Sequence, residues 1–219
     1  MPLQNRVLPT GEIVAIHARG TLTGNRGIIH GPDKQLSNKR WSHHAWISCV
    51  LEWHGRKREV MSGRKWTELF FLDEAVALAA GHRPCGYCRR EAYNRFCDAW
   101  TTAFGARASA KAMDRILHHS RVESRTRQHL RTIVSSKKLP SGAMFQHDGE
   151  IFLAFAGQAI PFNATGYAAH RDMPQEDVVV LTPEPILKVL EAGYQPTLHS
   201  DISSPPTPPQ SPASQPHSR

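Results

Sequence analysis

The chain has 219 residues, which suits one domain or two small ones, and its 40% hydrophobic content predicts a packed core. It has no run of about 18 apolar residues, which argues against a membrane-spanning helix, and MPLQNRVLPTGEIV at its start lacks a signal-peptide pattern, so we expect a cytoplasmic protein. The net charge of +8 favours a polyanionic partner such as nucleic acid, although solubility alone also explains a basic chain.

The first 61 residues predict short strands and turns. Ile13–Ile16 is typical of a strand, and Arg19–His30 reads as a series of turns with three glycines. Residues 46–61 form two β-rich halves around His54-Gly55, which is a hairpin pattern. Strand alternation places Cys49 on the more apolar face of this hairpin. The other residues of that face are Ile47, Leu51 and Trp53.

Two helices follow the hairpin. Asp73 is a suitable N-cap for a helix that runs to about Ala80, and Gly81 is a natural residue to end it. The apolar spacing over Tyr87–Phe104 predicts a second helix. Cys97 lies inside its apolar stripe, which favours a core residue over a metal ligand.

The remaining chain changes character three times. Residues 105–139 are rich in Lys and Arg, which predicts a basic, weakly helical and mostly solvated connector. Residues 140–202 predict a small β-rich part with one short helix, PEPILKVLEA, that Gly193 closes. The Pro/Ser-rich residues 203–219 predict a disordered tail. We therefore predict an α+β fold, with a zinc-finger-like hairpin-plus-helices module within residues 1–104.

Cys85 and Cys88 form a C-x-x-C pair at the start of the second helix, and Gly86 permits the tight turn between them. Two thiolates in such a turn suit tetrahedral zinc, which needs two further ligands. Cys49 and His54 are the predicted partners; the other candidates are His43, His44 and His82. A redox pair and two packed thiols without a ligand remain alternatives.

The segment Phe70–Cys88, FFLDEAVALAAGHRPCGYC, resembles the second half of the metal-binding domain of the Ada DNA-alkylation-repair protein. The shared pattern is a strand with aromatic residues, a helix that ends in Ala-Ala-Gly, and Arg-Pro-Cys-x-x-Cys. The resemblance implies a zinc ion held by cysteines, with Cys85 and Cys88 as the second ligand pair. In the Ada domain a cysteine of the site accepts a methyl group from a DNA phosphotriester. Where the first pair is expected, this chain has WHGRKR and no cysteine.

The whole chain also resembles a family of uncharacterised bacterial proteins, on NRV near the start, GNRG and TELFFLDEA. This resemblance implies no particular reaction. It draws attention to polar residues in predicted loops, several of them among glycines that permit close approach of a ligand. One hypothesis is therefore an enzyme with a polar pocket; its residues are Arg19, Asn25, Arg26 and Glu68.

The main functional hypothesis is a zinc-stabilised module that contacts nucleic acid in repair or processing. Scattered Lys and Arg side chains after the C-x-x-C pair suit phosphate contacts rather than base readout. The predicted contact residues are Arg89, Arg90, Arg95, Arg121 and Arg125. The pocket enzyme and a C-x-x-C redox protein are the alternatives.

Overall fold

The computed structural model describes residues 1–57, 60–61 and 66–202, so the predicted tail at 203–219 lies outside the described residues. The strands are β1 Arg6–Val7, β2 Ile13–Val14, β3 Leu22–Asn25, β4 Ile47–Val50, β5 Glu52–Trp53, β6 Arg56–Lys57, β7 Leu69–Phe71, β8 Arg83–Pro84, β9 Thr132–Ser135, β10 Met144–His147, β11 Glu150–Phe155, β12 Gln158–Asn163, β13 Gly166–Tyr167, β14 Arg171–Asp172 and β15 Asp177–Val180. The α-helices are α1 Glu74–Ala79, α2 Arg90–Phe104, α3 Ala110–Arg121 and α4 Glu184–Glu191, with a 3-10 helix at Ser136–Lys138.

The strands form two larger sheets and a small hairpin. The six-stranded sheet has the order β2-β1-β7-β3-β4-β8, in which β1 pairs with β7 and β4 with β8 in parallel. The seven-stranded sheet has the order β13-β12-β11-β10-β15-β9, and β14 pairs with β12. The hairpin of β5 and β6 turns at His54-Gly55, as predicted. Helices and sheets together confirm the predicted α+β class.

The seven-stranded sheet lies between two hydrophobic cores. Because side chains alternate along a strand, Phe145 and Phe152 contribute to one core, which also contains residues of α2, α3 and α4. Their neighbours Met144 and Leu153 contribute to the other core, with α1 and the six-stranded sheet. Among the described residues, no helix combines the length and apolar character needed to cross a membrane.

Residues 105–139 differ from the mostly solvated connector that we predicted. Helix α3 lies within them, and its Met113 and Leu117 are fully buried in the core shared with Phe96 and Phe145. That core therefore draws on all three predicted parts, 1–104, 105–139 and 140–202. Lys111, Arg115 and His119 of α3 are exposed, whereas His118 and Arg121 are buried.

The predicted turns at Arg19–His30 contain a strand, β3, in the interior of the six-stranded sheet. Gly24 has a packing role there. A Cβ atom at this position would lie 2.3 Å from the carbonyl oxygen of Ile47 and 2.8 Å from the ring of Phe71. The glycine thus permits close approach of neighbouring groups, which a composition-based prediction of turns does not detect.

Candidate metal centre

Three of the four cysteines come together at one edge of the six-stranded sheet. Cys49 lies on β4, Cys85 directly follows the edge strand β8, and Cys88 lies in the turn before α2. Parallel pairing of β4 with β8 aligns Ser48 with Pro84, and the Cys85 N–H donates to the Ser48 carbonyl at 3.0 Å. As a result, the Sγ atoms of the three cysteines all lie within 4.8 Å of one another.

The turn between Cys85 and Cys88 directs hydrogen-bond donors at sulfur. The Tyr87 N–H donates to the Cys85 Sγ at 3.4 Å, and the Val50 N–H is hydrogen-bonded to Cys88. The thiols of Cys49 and Cys88, together with nearby backbone N–H groups, lower the pKa of Cys85. Hydrogen bonding to Cys85 and Cys88, with burial, raises the pKa of Cys49. The site therefore stabilises one thiolate before any ion binds.

The spacing of the sulfurs fits a thiophilic metal ion. Sulfurs around a tetrahedral zinc with Zn–S bonds of about 2.3 Å lie about 3.8 Å apart. The 4.8 Å limit on the three Sγ separations is close to that value, so small side-chain shifts bring all three within bonding distance of one ion. Three cysteines this close together can hold a metal ion. A dithiol redox pair, in contrast, requires only two of them.

Two buried arginines fix the cysteine turn from both sides. Arg83 precedes Pro84-Cys85, and its Nε and Nη2 atoms bind the two carboxylate oxygens of Asp114 on α3, each at 2.8 Å. Arg89 follows Cys88 and binds the Glu74 carboxylate of α1 at 2.7 Å and the Ser48 hydroxyl at 2.9 Å. Both arginine side chains are 7% exposed. Sequence reasoning missed this support, although Arg89 directly follows the motif and Arg83 lies two residues before it.

A cavity of about 310 Å³ borders all three cysteines of the cluster. Its wall is mostly apolar and includes the aromatic side chains of Trp53, Trp66 and Tyr87. The volume is within the range of small-ligand sites. A group that enters the cavity can therefore approach the sulfurs. Ile47, Leu51 and Trp53, which strand alternation groups with Cys49, line the cavity, and so does Val50.

The other predicted ligands do not join the cysteine cluster. His54 occupies the hairpin turn with a positive φ of 51°, and its ring packs against that of Trp53 at 4.4 Å between centroids. It is absent from the group of potential ligands found among the described residues. Cys97 is 7% exposed and lies in the core formed with α3 and α4, which confirms its predicted role.

The predicted nucleic-acid residues divide into two groups. Arg121 is fully buried: it donates to the Gly81 carbonyl at 2.6 Å and lies 3.8 Å from the centre of the Trp46 ring, so it does not reach a phosphate. Arg89 is occupied by Glu74 and Ser48. Arg90, Arg95 and Arg125 are exposed. Burial thus removes two of the five predicted phosphate contacts.

The four residues of the predicted polar pocket do not converge. Arg19, Asn25 and Arg26 line three different cavities. The carboxylate of Glu68 accepts a hydrogen bond from the Met61 N–H at 2.8 Å, which gives it a structural role. The arrangement therefore gives no support to an active site shared by these residues.

The chain matches no protein-family model, no curated protein and no solved structure among those compared. The resemblance to the Ada domain therefore depends on the motif at Phe70–Cys88 alone, and function has to be argued from the geometry of the site.

Proposed function

We propose that the protein binds zinc through Cys49, Cys85 and Cys88, and that the bordering cavity gives a further ligand access to the ion. The observation that supports this proposal is the grouping of the three sulfurs within 4.8 Å beside an open cavity. Thiolate sulfur favours zinc among the common divalent ions, and three protein ligands with an accessible fourth position are typical of reactive rather than structural zinc sites. Zinc held this way would act as a Lewis acid towards a fourth ligand.

This proposal modifies the expectation from the Ada resemblance. Cys85 and Cys88 keep the place of the second ligand pair, and Cys49 supplies a third sulfur from a strand rather than from a C-x-x-x-C pair. Tetrahedral zinc requires a fourth ligand, and a cavity with aromatic walls, from which that ligand could approach, borders the three cysteines. We infer that this cavity selects a small apolar or aromatic molecule with one metal-binding group. The thiols would remain reduced in the cytoplasm.

Metal analysis of matched cysteine variants tests the proposal. We expect about one zinc per purified chain, lost in Cys49→Ser, Cys85→Ser and Cys88→Ser but retained in Cys97→Ala, because Cys97 lies in the core away from the cluster. In the Co²⁺-substituted protein, added cyanide or a small thiol should change the visible absorption by taking the fourth position. A metal-free protein that oxidises to one disulfide between Cys85 and Cys88 would favour the redox alternative and refute the proposal.

A second candidate function, contact with nucleic acid, is favoured by one specific surface. Lys111, Arg115 and His119 are exposed on α3 and lie four residues apart, so they form a basic stripe on one face of the helix. With about five phosphates neutralised, log K should fall with log salt at a slope of about −4. The double variant Lys111→Gln/Arg115→Gln should reduce that slope in a fluorescence-anisotropy titration with DNA. The double variant Lys137→Gln/Lys138→Gln is the charge-matched control; no binding at low salt excludes this candidate.

A further inference from the structure

A second cavity, of about 520 Å³, lies between the loop at Thr10–Ile13 and the segment Arg127–Arg131. Four arginines line it: Arg26, Arg40, Arg127 and Arg131. Glu12 is the one carboxylate among the described residues that line the cavity, and its Oε2 lies 3.5 Å from the Thr10 hydroxyl. No ion pair joins Glu12 to an arginine in the described part of the chain. The cavity thus concentrates positive charge without a matching protein anion.

Arg26 is the most unusual of these side chains because it is 1% exposed. Its Nη1 donates to the Gly11 carbonyl at 3.2 Å, its Nε lies 3.5 Å from the Nε2 of His82, and its guanidinium packs 4.1 Å from the centre of the Trp46 ring. Its Nη2 is buried and has no hydrogen-bond partner among the described residues. A buried, charged donor without a partner is strongly destabilising, which indicates that an additional group normally satisfies it.

Other groups close to Arg26 also favour binding of an anion in the cavity. Arg121 packs 3.8 Å from the centre of the same Trp46 ring, so the indole lies close to two guanidinium groups. Burial, followed by the charge of Arg40, lowers the pKa of Arg26 to about 9. The Nδ1 of His129, which also lines the cavity, is buried and has no hydrogen-bond partner in the part of the chain that the structure describes. Two buried nitrogen atoms that lack a hydrogen-bond partner among the described residues therefore belong to side chains that line the same positively charged cavity.

We propose that this cavity binds a phosphate group, with Arg26 at its base and Arg40, Arg127 and Arg131 around it. Guanidinium groups bind phosphate oxygens in bidentate fashion, and several of them around one site match a phosphate better than a single carboxylate. The volume exceeds that of one phosphate and is in the range of small-molecule sites. The phosphate therefore belongs to a larger molecule, either a small phosphorylated compound or a nucleic-acid strand. The site is separate from the cysteine cluster.

Calorimetric titration of the full chain with pyrophosphate at low ionic strength tests the site. We expect saturable binding, weakened about tenfold by Arg40→Gln and by Arg127→Gln, because each removes a charge-assisted hydrogen bond. These exposed arginines are suitable test positions, since Arg26→Gln affects the core. Arg107→Gln, an equal charge change at an exposed arginine outside the cavity, is the control and should bind as the unaltered chain does.

Two results would overturn the proposal: no pyrophosphate binding by the unaltered chain, or equal weakening by Arg107→Gln and Arg40→Gln, which would indicate general charge attraction only. Competition then identifies the source of the phosphate. Displacement of pyrophosphate by a mononucleotide but not by a single-stranded oligonucleotide without terminal phosphates assigns a small molecule. Displacement by that oligonucleotide assigns backbone phosphates. Zinc content, measured on the same variants, should be unchanged, so this proposal and the metal proposal fail independently.

Discussion

The ion pair between Arg83 and Asp114 gives the clearest test of how the cysteine turn is held. The two side chains are 7% and 9% exposed, and two hydrogen bonds of 2.8 Å join them. Asp114→Ala would leave the Arg83 guanidinium buried without its carboxylate. Loss of one partner of such a buried pair typically costs about 3 to 5 kcal/mol. That is a large part of the total stability of an ordinary domain.

We expect Asp114→Ala to lower the free energy of unfolding by about 3 to 5 kcal/mol and the Tm by about 6 to 20 °C. Urea unfolding followed by circular dichroism measures this loss. Asp98→Ala is the matched control because Asp98 is exposed on α2, and it should change stability by less than about 0.5 kcal/mol.

The double variant Arg83→Met/Asp114→Leu shows whether the loss of stability comes from an unpaired buried charge or from the absence of the ion pair itself. Apolar replacement of both partners of a buried pair is often neutral, so the double variant should recover most of the stability lost by Asp114→Ala. If Asp114→Ala costs less than about 1 kcal/mol, the pair is not the anchor that the distances indicate. If the double variant is as unstable as the single one, packing rather than unpaired charge explains the loss.

Two further predictions concern buried polar groups. Burial and the nearby charge of Arg121 lower the pKa of His118 to about 4, so the folded chain resists protonation that the unfolded chain accepts below about pH 6.5. The contribution of His118 to the free energy of unfolding should therefore be complete above that pH and decrease by at most about 2 to 3 kcal/mol as the pH drops from 6.5 to 4. Urea unfolding at several pH values should show a smaller fall in His118→Gln than in the unaltered chain; parallel curves would contradict this. The hydroxyl of buried Tyr167 donates to the Asp73 carboxylate at 3.0 Å, so Tyr167→Phe should cost about 1.5 to 3 kcal/mol, whereas Tyr87→Phe, at an exposed position, should be neutral in the same assay.

The sequence analysis correctly predicted those elements whose formation depends on residues close together in the chain. Asp73 caps α1 by accepting from the Val76 N–H at 3.0 Å, and Gly81 follows the helix with a φ of 84°, both as predicted. The helix at Glu184–Glu191, before Gly193, also matches its sequence pattern. In each case the deciding contacts lie within a few residues along the chain.

The missed features depend on contacts between distant parts of the chain. The predicted ligand Cys49 does join Cys85 and Cys88, but the sequence did not separate it from His54, because the position of Cys49 depends on the parallel register of β4 and β8. Asp114 and Arg121 looked solvated by composition, but an ion pair and backbone hydrogen bonds allow them to be buried.

The two arginine anchors make the proposed metal site depend on residues that are distant in sequence. Arg83 reaches α3, and the Glu74 that binds Arg89 also accepts hydrogen bonds from the Tyr194 hydroxyl at 2.6 Å and the Thr197 N–H at 2.9 Å. A fragment limited to residues 45–104 would lack Asp114 and the segment that contains Tyr194, so we do not expect it to fold as an independent metal-binding module. An ion bound at the cysteines would also act on the global folding equilibrium, by about 4 kcal/mol at a concentration 1,000 times its Kd. Chelation would then shift cooperative unfolding of the entire chain rather than release one local turn.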